Sequence, residues 1–199
     1  MSDPKFTAQP PRWAEWLVRA MLAPADRDSV SRDLRKQYQD ALLPQRGPIH
    51  ARAWYVAQTL RFVWRTSWIW GLLLAATVAA SDTLDWWLSP TADFYARSIV
   101  SISIAVALFV GVGIRTAWRT RSVRSTFVVG AATGFVGAVI AVVLAAVQLA
   151  IRHDPHTMRM VAASGGFDEI FLLPFAEIVP GTICAIVGGV AGRVLAAVL

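Results

Sequence analysis

Four long apolar runs alternate along this chain with short polar links, after a polar opening that carries helical periodicity of its own. The runs are Trp68–Ala80, Ser98–Ile114, Thr126–Ile151 and Phe171–Leu199. Runs of this length and uniformity predict membrane-crossing helices rather than amphipathic helices around a water-soluble core. With flanking residues the spans are set at about 66–81, 97–114, 126–151 and 171–199. The first is the shortest and borrows its aromatic flank to cross a core of about 30 Å. The third exceeds the minimum and is expected to tilt or protrude. The fold class is therefore all-α: an integral membrane protein of four transmembrane helices with an N-terminal helical head.

Ahead of the spans, residues 1–10 read as a disordered lead and residues 11–65 as the head. Pro11 opens a helix over Arg12–Ala23, with Trp13, Trp16, Leu17, Ala20 and Met21 on one face, and Pro24 ends it. A second helix is expected from about Asp26 to Leu43, where Val30, Leu34, Tyr38 and Leu42 recur every fourth residue. Asp26 or Asp28 would cap it. Pro44, Gly47 and Pro48 form the break that follows. The third helix starts near Ile49, headed or packed by His50, and has no proline before Ser81, so it is expected to pass from the head straight into the first span. Between spans three and four, Thr157–Ala163 predicts a short helix lying on the membrane surface.

Charge turns this pattern into a topology. Residues 1–65 hold eleven bases against six acids, a balance of +5, and the link after span two adds Arg115, Arg119, Arg121 and Arg124. The link between spans one and two instead carries Asp82, Asp85 and Asp93 against Arg97. Lys and Arg near span ends stay in the cytoplasm, so both termini are expected there, in a bacterial inner membrane. Trp64, Trp68 and Trp70 are placed at the inner interface and Trp86 and Trp87 at the outer one, where indole rings anchor best. Anionic lipid and topology account for the basic balance, and nucleic-acid binding is not expected. The polar, proline-bearing N-terminus does not read as a cleavable signal peptide, which leaves span one as signal anchor.

Small residues mark the helix contacts. Gly130, Gly134 and Gly137 line span three and Gly188 and Gly192 span four, at spacings that let helix backbones approach closely. These faces are expected to meet each other or a partner, a second copy of the chain included.

Candidate chemistry is sparse. Glu177 is the one acid within an apolar run, between Pro174 and Pro180. Either the prolines break the helix and Glu177 is a functional intramembrane acid, or the span starts near Pro180 and Glu177 sits among the outer headgroups. The second is preferred, because the nineteen residues from Gly181 to Leu199 nearly suffice to cross. Gln148 is a candidate hydrogen-bond partner for it or an interfacial residue. His153 and His156 flank Pro155 without a third ligand, and the single Cys184 lies in a span, so no metal site or disulfide is expected. There is no Walker, GxSxG or HExxH motif. The expectation is a protein that is not an enzyme and carries no cofactor.

The head has a recognisable order of features: a Leu-rich helix ending at Pro24, Arg27-Asp28, Asp33-Leu34, Tyr38, the Arg46-Gly47 break, then Ala53-Trp54-Tyr55 with Gln58 and Leu60. Over residues 11–63, about a quarter of the chain, it resembles the permease prefix domain of bacterial macrolide-exporter-type ABC permeases, the acidobacterial duplicated orphan permeases. Arg32 stands where that family usually has Gly, and Arg35-Lys36 where it has acids. The large extracytoplasmic domain of such permeases is not represented. The resemblance implies a small stand-alone relative, similar to proteins found beside PadR-like regulators, whose head docks a partner protein. It does not imply that this chain transports anything. The alternative is a small transporter or channel using Glu177 and the glycine-lined helices.

Overall fold

The first three apolar runs each become one helix that runs further than its hydropathy, and the fourth becomes a pair of helices. A computed structural model describes residues 9–87, 94–152, 154–163 and 166–198. The elements are α1 (Arg12–Met21), α2 (Pro24–Lys36) running through a wide π turn (Gln37–Leu42) into α3 (Leu43–Trp87), α4 (Phe94–Thr120), α5 (Val123–Ile151), α6 (Pro155–Ala163), α7 (Gly166–Ala176) and α8 (Ile178–Val198). No strand occurs among the described residues. Four helical stretches, ending in α3, α4, α5 and the α7–α8 pair, are long and apolar enough to cross a bilayer. Most of the expected lead lies outside the described residues.

In the head, Pro24 begins α2 as well as closing off α1. Proline suits the first helical position because the N–H it lacks would have no partner there. The expected aspartate cap is not used: Ala23 holds the N-cap position with no side-chain bond. Asp28 pairs with Arg19, and the Asp26 carbonyl accepts from the Ser29 hydroxyl. The break after the second helix shrinks to a single residue, Gly47, at φ 75°, ψ 170°. Only glycine takes that backbone freely, and Pro48 then starts the helix again. His50 neither caps nor packs; it is exposed on the first turn beyond the break.

The head closes around a small core of Ala14, Tyr38, Ala51 and Tyr55, with Leu34, Leu42, Leu43 and Trp54 packed on it. The two tyrosine rings meet edge to face, 5.9 Å apart at 89°. Ion pairs from Arg19 to Asp28 and from Arg35 to Glu15 tie α1 to α2 at the surface. From Pro48 to Trp87 no further non-helical residue interrupts α3, so head and first span share one helix.

The spans pack most closely as parallel, non-consecutive pairs, α4 with α8 and α3 with α5, while α5 also lies antiparallel on α8. The glycine faces do not meet each other glycine to glycine. Gly130 and Gly134 of α5 face Thr182, Ala185 and Ile178 of α8, and Gly137 faces Gly71 and Leu74 of α3. Gly188 and Gly192 of α8 turn instead to the α4 backbone at Val110 and Ile114. α5 thus sits at the centre of the bundle.

Two sequence boundaries change. The link read as a basic loop over Arg115–Arg124 is mostly helix: α4 continues to Thr120, and only Arg121, at φ 51°, and Ser122 form the turn. Hydropathy stops at the first arginine, but arginine is a good helix former and nothing between Ile114 and Thr120 breaks the backbone. The short surface helix is real but not isolated. Asp154 caps it, accepting the His156 and Thr157 amides at 2.9 and 3.0 Å and the Thr157 hydroxyl at 2.7 Å. Those bonds, the Thr157 hydroxyl foremost, hold the Asp154 carboxyl down at about 2. Pro155 opens the helix rather than preventing it, so His156 lies in its first turn; His153 is outside the described residues. Val161 then buries α6 against Trp86, Ala145 and Leu149, with Ile170 and Phe171 alongside.

Candidate functional site

Trp86 was expected among headgroups, yet it is only 3% exposed, because α6 and α7 fold over the ends of α3 and α5 and enclose it. The Trp87 side chain lies outside the described residues. At the opposite end Trp64 and Trp68 are exposed, while Trp70 is half-buried with the Arg115 guanidinium 6.0 Å over its ring.

Beside Trp86 a cavity of about 340 Å3 opens between α3, α4 and the α7–α8 junction. Glu177 lines it from the junction, and Asp82 and Asp85 line it from the last turns of α3. Residues three apart share a helix face, so both aspartates face the same space. They also stand at the negative end of the α3 dipole, where carboxylates are disfavoured. Neither aspartate is free of interactions. No hydrogen bond or ion pair reaches the Glu177 carboxylate among the described residues. The Ser101 hydroxyl nearby is spent on the Ser98 carbonyl at 3.0 Å.

Glu177 itself occupies a single turn residue between α7 and α8. Its prolines do not open the helix into a broken, ion-coordinating pair. The Glu177 amide donates to the Leu173 carbonyl at 3.1 Å, and the Gly181 amide donates to the Glu177 carbonyl at 3.0 Å. Helical hydrogen bonding therefore passes through the junction. Gln148 is not its partner: the Gln148 amide donates to the Thr83 hydroxyl at 2.9 Å, joining α5 to α3. What brings Glu177 and the two aspartates together is the packing of α3, α4 and the α7–α8 junction around one cavity, and no local pattern in the sequence encodes that.

In the head, Tyr38 and Tyr55 are fully buried, Leu34, Trp54 and Gln58 are half-buried, Asp33 and Arg46 are exposed, and Gly47 makes the kink. α1 is held to α2, α3 and α5 through its Ala14 and Val18 side, which leaves Trp13 52% and Trp16 48% exposed on the outside. Among the described residues no group of three His, Cys, Asp or Glu is placed to hold a metal ion. Comparison with protein-family models, curated proteins and solved structures finds no match for this chain.

Proposed function

We propose that the chain is a non-enzymatic, four-span protein of the bacterial inner membrane whose cytoplasmic head docks a partner protein, as an accessory or regulatory subunit of a transport system. The observation that carries this reading is the pair of exposed tryptophans, Trp13 and Trp16, on a helix whose other side is fixed. Tryptophan concentrates at the centres of protein interfaces, and a rigid support spares the partner the cost of ordering it. The prefix-like order of residues 11–63 supports the same role. Orientation follows from charge. Arg61, Arg65, Arg115, Arg119, Arg121 and Arg124 cluster toward the head end, whereas Asp82, Asp85, Asp154, Asp168 and Glu177 outnumber Arg97, Arg152 and Arg159 toward the other.

Affinity capture of the full chain from mild detergent is expected to bring down one stoichiometric protein partner. The double variant W13A/W16A should weaken that capture by at least about tenfold, since interface anchors are worth about 2 kcal/mol or more each. Undiminished capture by the variant would refute the docking role of α1.

A second reading, a small transporter or channel, is favoured by the acidic cavity at Glu177. The glycine-lined helices would serve it by close packing, because those glycines face packed neighbours. On this reading liposomes carrying the protein pass cations, and Glu177→Gln stops the flux; no flux through the wild type counts against it.

A further inference from the structure

At the head end, a second cavity of about 440 Å3 lies between the α1–α2 turn, α3 and α4. That is within the size of pockets that take small ligands, about 300–1,000 Å3. Its charged lining is Arg65 of α3, Arg115 and Arg119 of α4, and one acid, Asp26, so three positive groups stand against one negative. Arg115 and Arg119 are one helical turn apart and therefore face the same way, which costs a few tenths of a kcal/mol in repulsion unless an anion sits between them. The ion pairs of the head engage Arg19 and Arg35, and none reaches these three arginines among the described residues. Arg115 is steadied over the Trp70 ring, a contact that uses the π face and none of the five guanidinium N–H donors. Of the neighbouring hydroxyls, Thr66 is committed to the Phe62 carbonyl at 2.9 Å and Thr120 to the Thr116 carbonyl at 2.8 Å, which leaves that of Thr116. The main donors are therefore the arginines, whose planar forks match phosphate oxygens.

Arg115 and Arg119 also border a mostly apolar, open strip of the α4 surface that runs past Trp118 and Ile114 to Gly111. Polar cavity and apolar strip meet at the same two arginines. We propose that cavity and strip together bind one anionic phospholipid, its phosphate held by Arg65, Arg115 and Arg119 and an acyl chain laid along α4. The apolar strip is what separates a lipid from a free phosphate ester, which would fill the polar cavity alone. Basic pockets between membrane helices on the cytoplasmic side suit such headgroups. Because the α1–α2 turn forms one wall, the lipid touches head and spans together. This rests on the membrane reading above.

The test uses the full chain in mild detergent, with native mass spectrometry after adding phosphatidylglycerol, phosphatidylcholine or inorganic phosphate. Wild type should retain one phosphatidylglycerol in preference to phosphatidylcholine. The triple variant R65Q/R115Q/R119Q should lower that retention about tenfold or more, the scale of losing charge-assisted hydrogen bonds. The charge-matched R32Q/R46Q/R52Q, at exposed head positions, should retain it within about twofold, as expected of surface changes away from a site. Equal loss in both triples, or none in the first, overturns the site. Displacement of the lipid by millimolar inorganic phosphate overturns the lipid as the source of the phosphate. Failure of the membrane reading itself would show separately, as a chain that is monodisperse without detergent.

Discussion

Gly113→Ala is expected to destabilise the bundle by about 3 kcal/mol, toward the upper end of overpacking costs, while Gly111→Ala two residues earlier leaves it intact. A methyl on Gly113 would overlap the Ala185 carbonyl and stand 2.8 Å from the Gly189 amide nitrogen of α8. Both are backbone atoms, so no side chain can turn aside and the two helices must separate. Gly188 answers from the other helix, where an added methyl would overlap the Val110 carbonyl. At Gly111 the nearest atoms are on the Trp70 ring at 3.9 Å, an ordinary contact, and alanine gains up to about 1 kcal/mol of helix propensity over glycine. Unfolding of the two variants in a denaturing-detergent titration would decide it. Equal midpoints would mean that α4 and α8 are not in backbone contact.

Tyr55→Ala is expected to unfold the head while leaving the spans folded. Tyr38 and Tyr55 are 0% and 1% exposed and supply most of the volume of a core whose other buried members are alanines. Truncating a buried aromatic costs about 3–5 kcal/mol, and the edge-to-face pair adds about 0.5–1.5 kcal/mol. A core this small has nothing to refill the cavity. Limited trypsin digestion is the measurement, since Arg19, Arg27 and Arg32 lie on the two helices that would come free. A loss of 3 kcal/mol corresponds to roughly a hundredfold faster cleavage if digestion follows local opening. Tyr55→Phe should digest like wild type, because the Tyr55 hydroxyl is buried without a partner. Resistance of Tyr55→Ala to trypsin would mean that α1 and α2 are held by something other than this core.

The positions of the spans could be read from hydropathy, because burial in hydrocarbon demands long uninterrupted apolar runs. Their ends could not. α4 runs on through Arg115 and Arg119 because helix formation answers to the backbone, whereas hydropathy stops at charge. On a helix the four-residue spacing of those arginines gives them a shared face. Trp86 looked like a headgroup anchor since an indole near a span end is the same in sequence whether lipid or a covering helix lies outside it. The glycine spacing marked close contacts correctly as a kind, but not their partners. That Gly188 meets Val110 rather than a glycine of α5 depends on how four helices share space. Glu177 is distant in sequence from Asp82 and Asp85, and only the packing places the three around one cavity.

The parallel pairing of α4 with α8 bears on how the molecule is made. As the chain is synthesised, the glycine notch of α4 at Gly113 stays open until α8, which fills it, has been made, after α5, α6 and α7. Until then α3, α4 and α5 form an unfinished trio. Completion of α8 is therefore the step that closes the packing of the four, and the trio is least guarded in the interval before it.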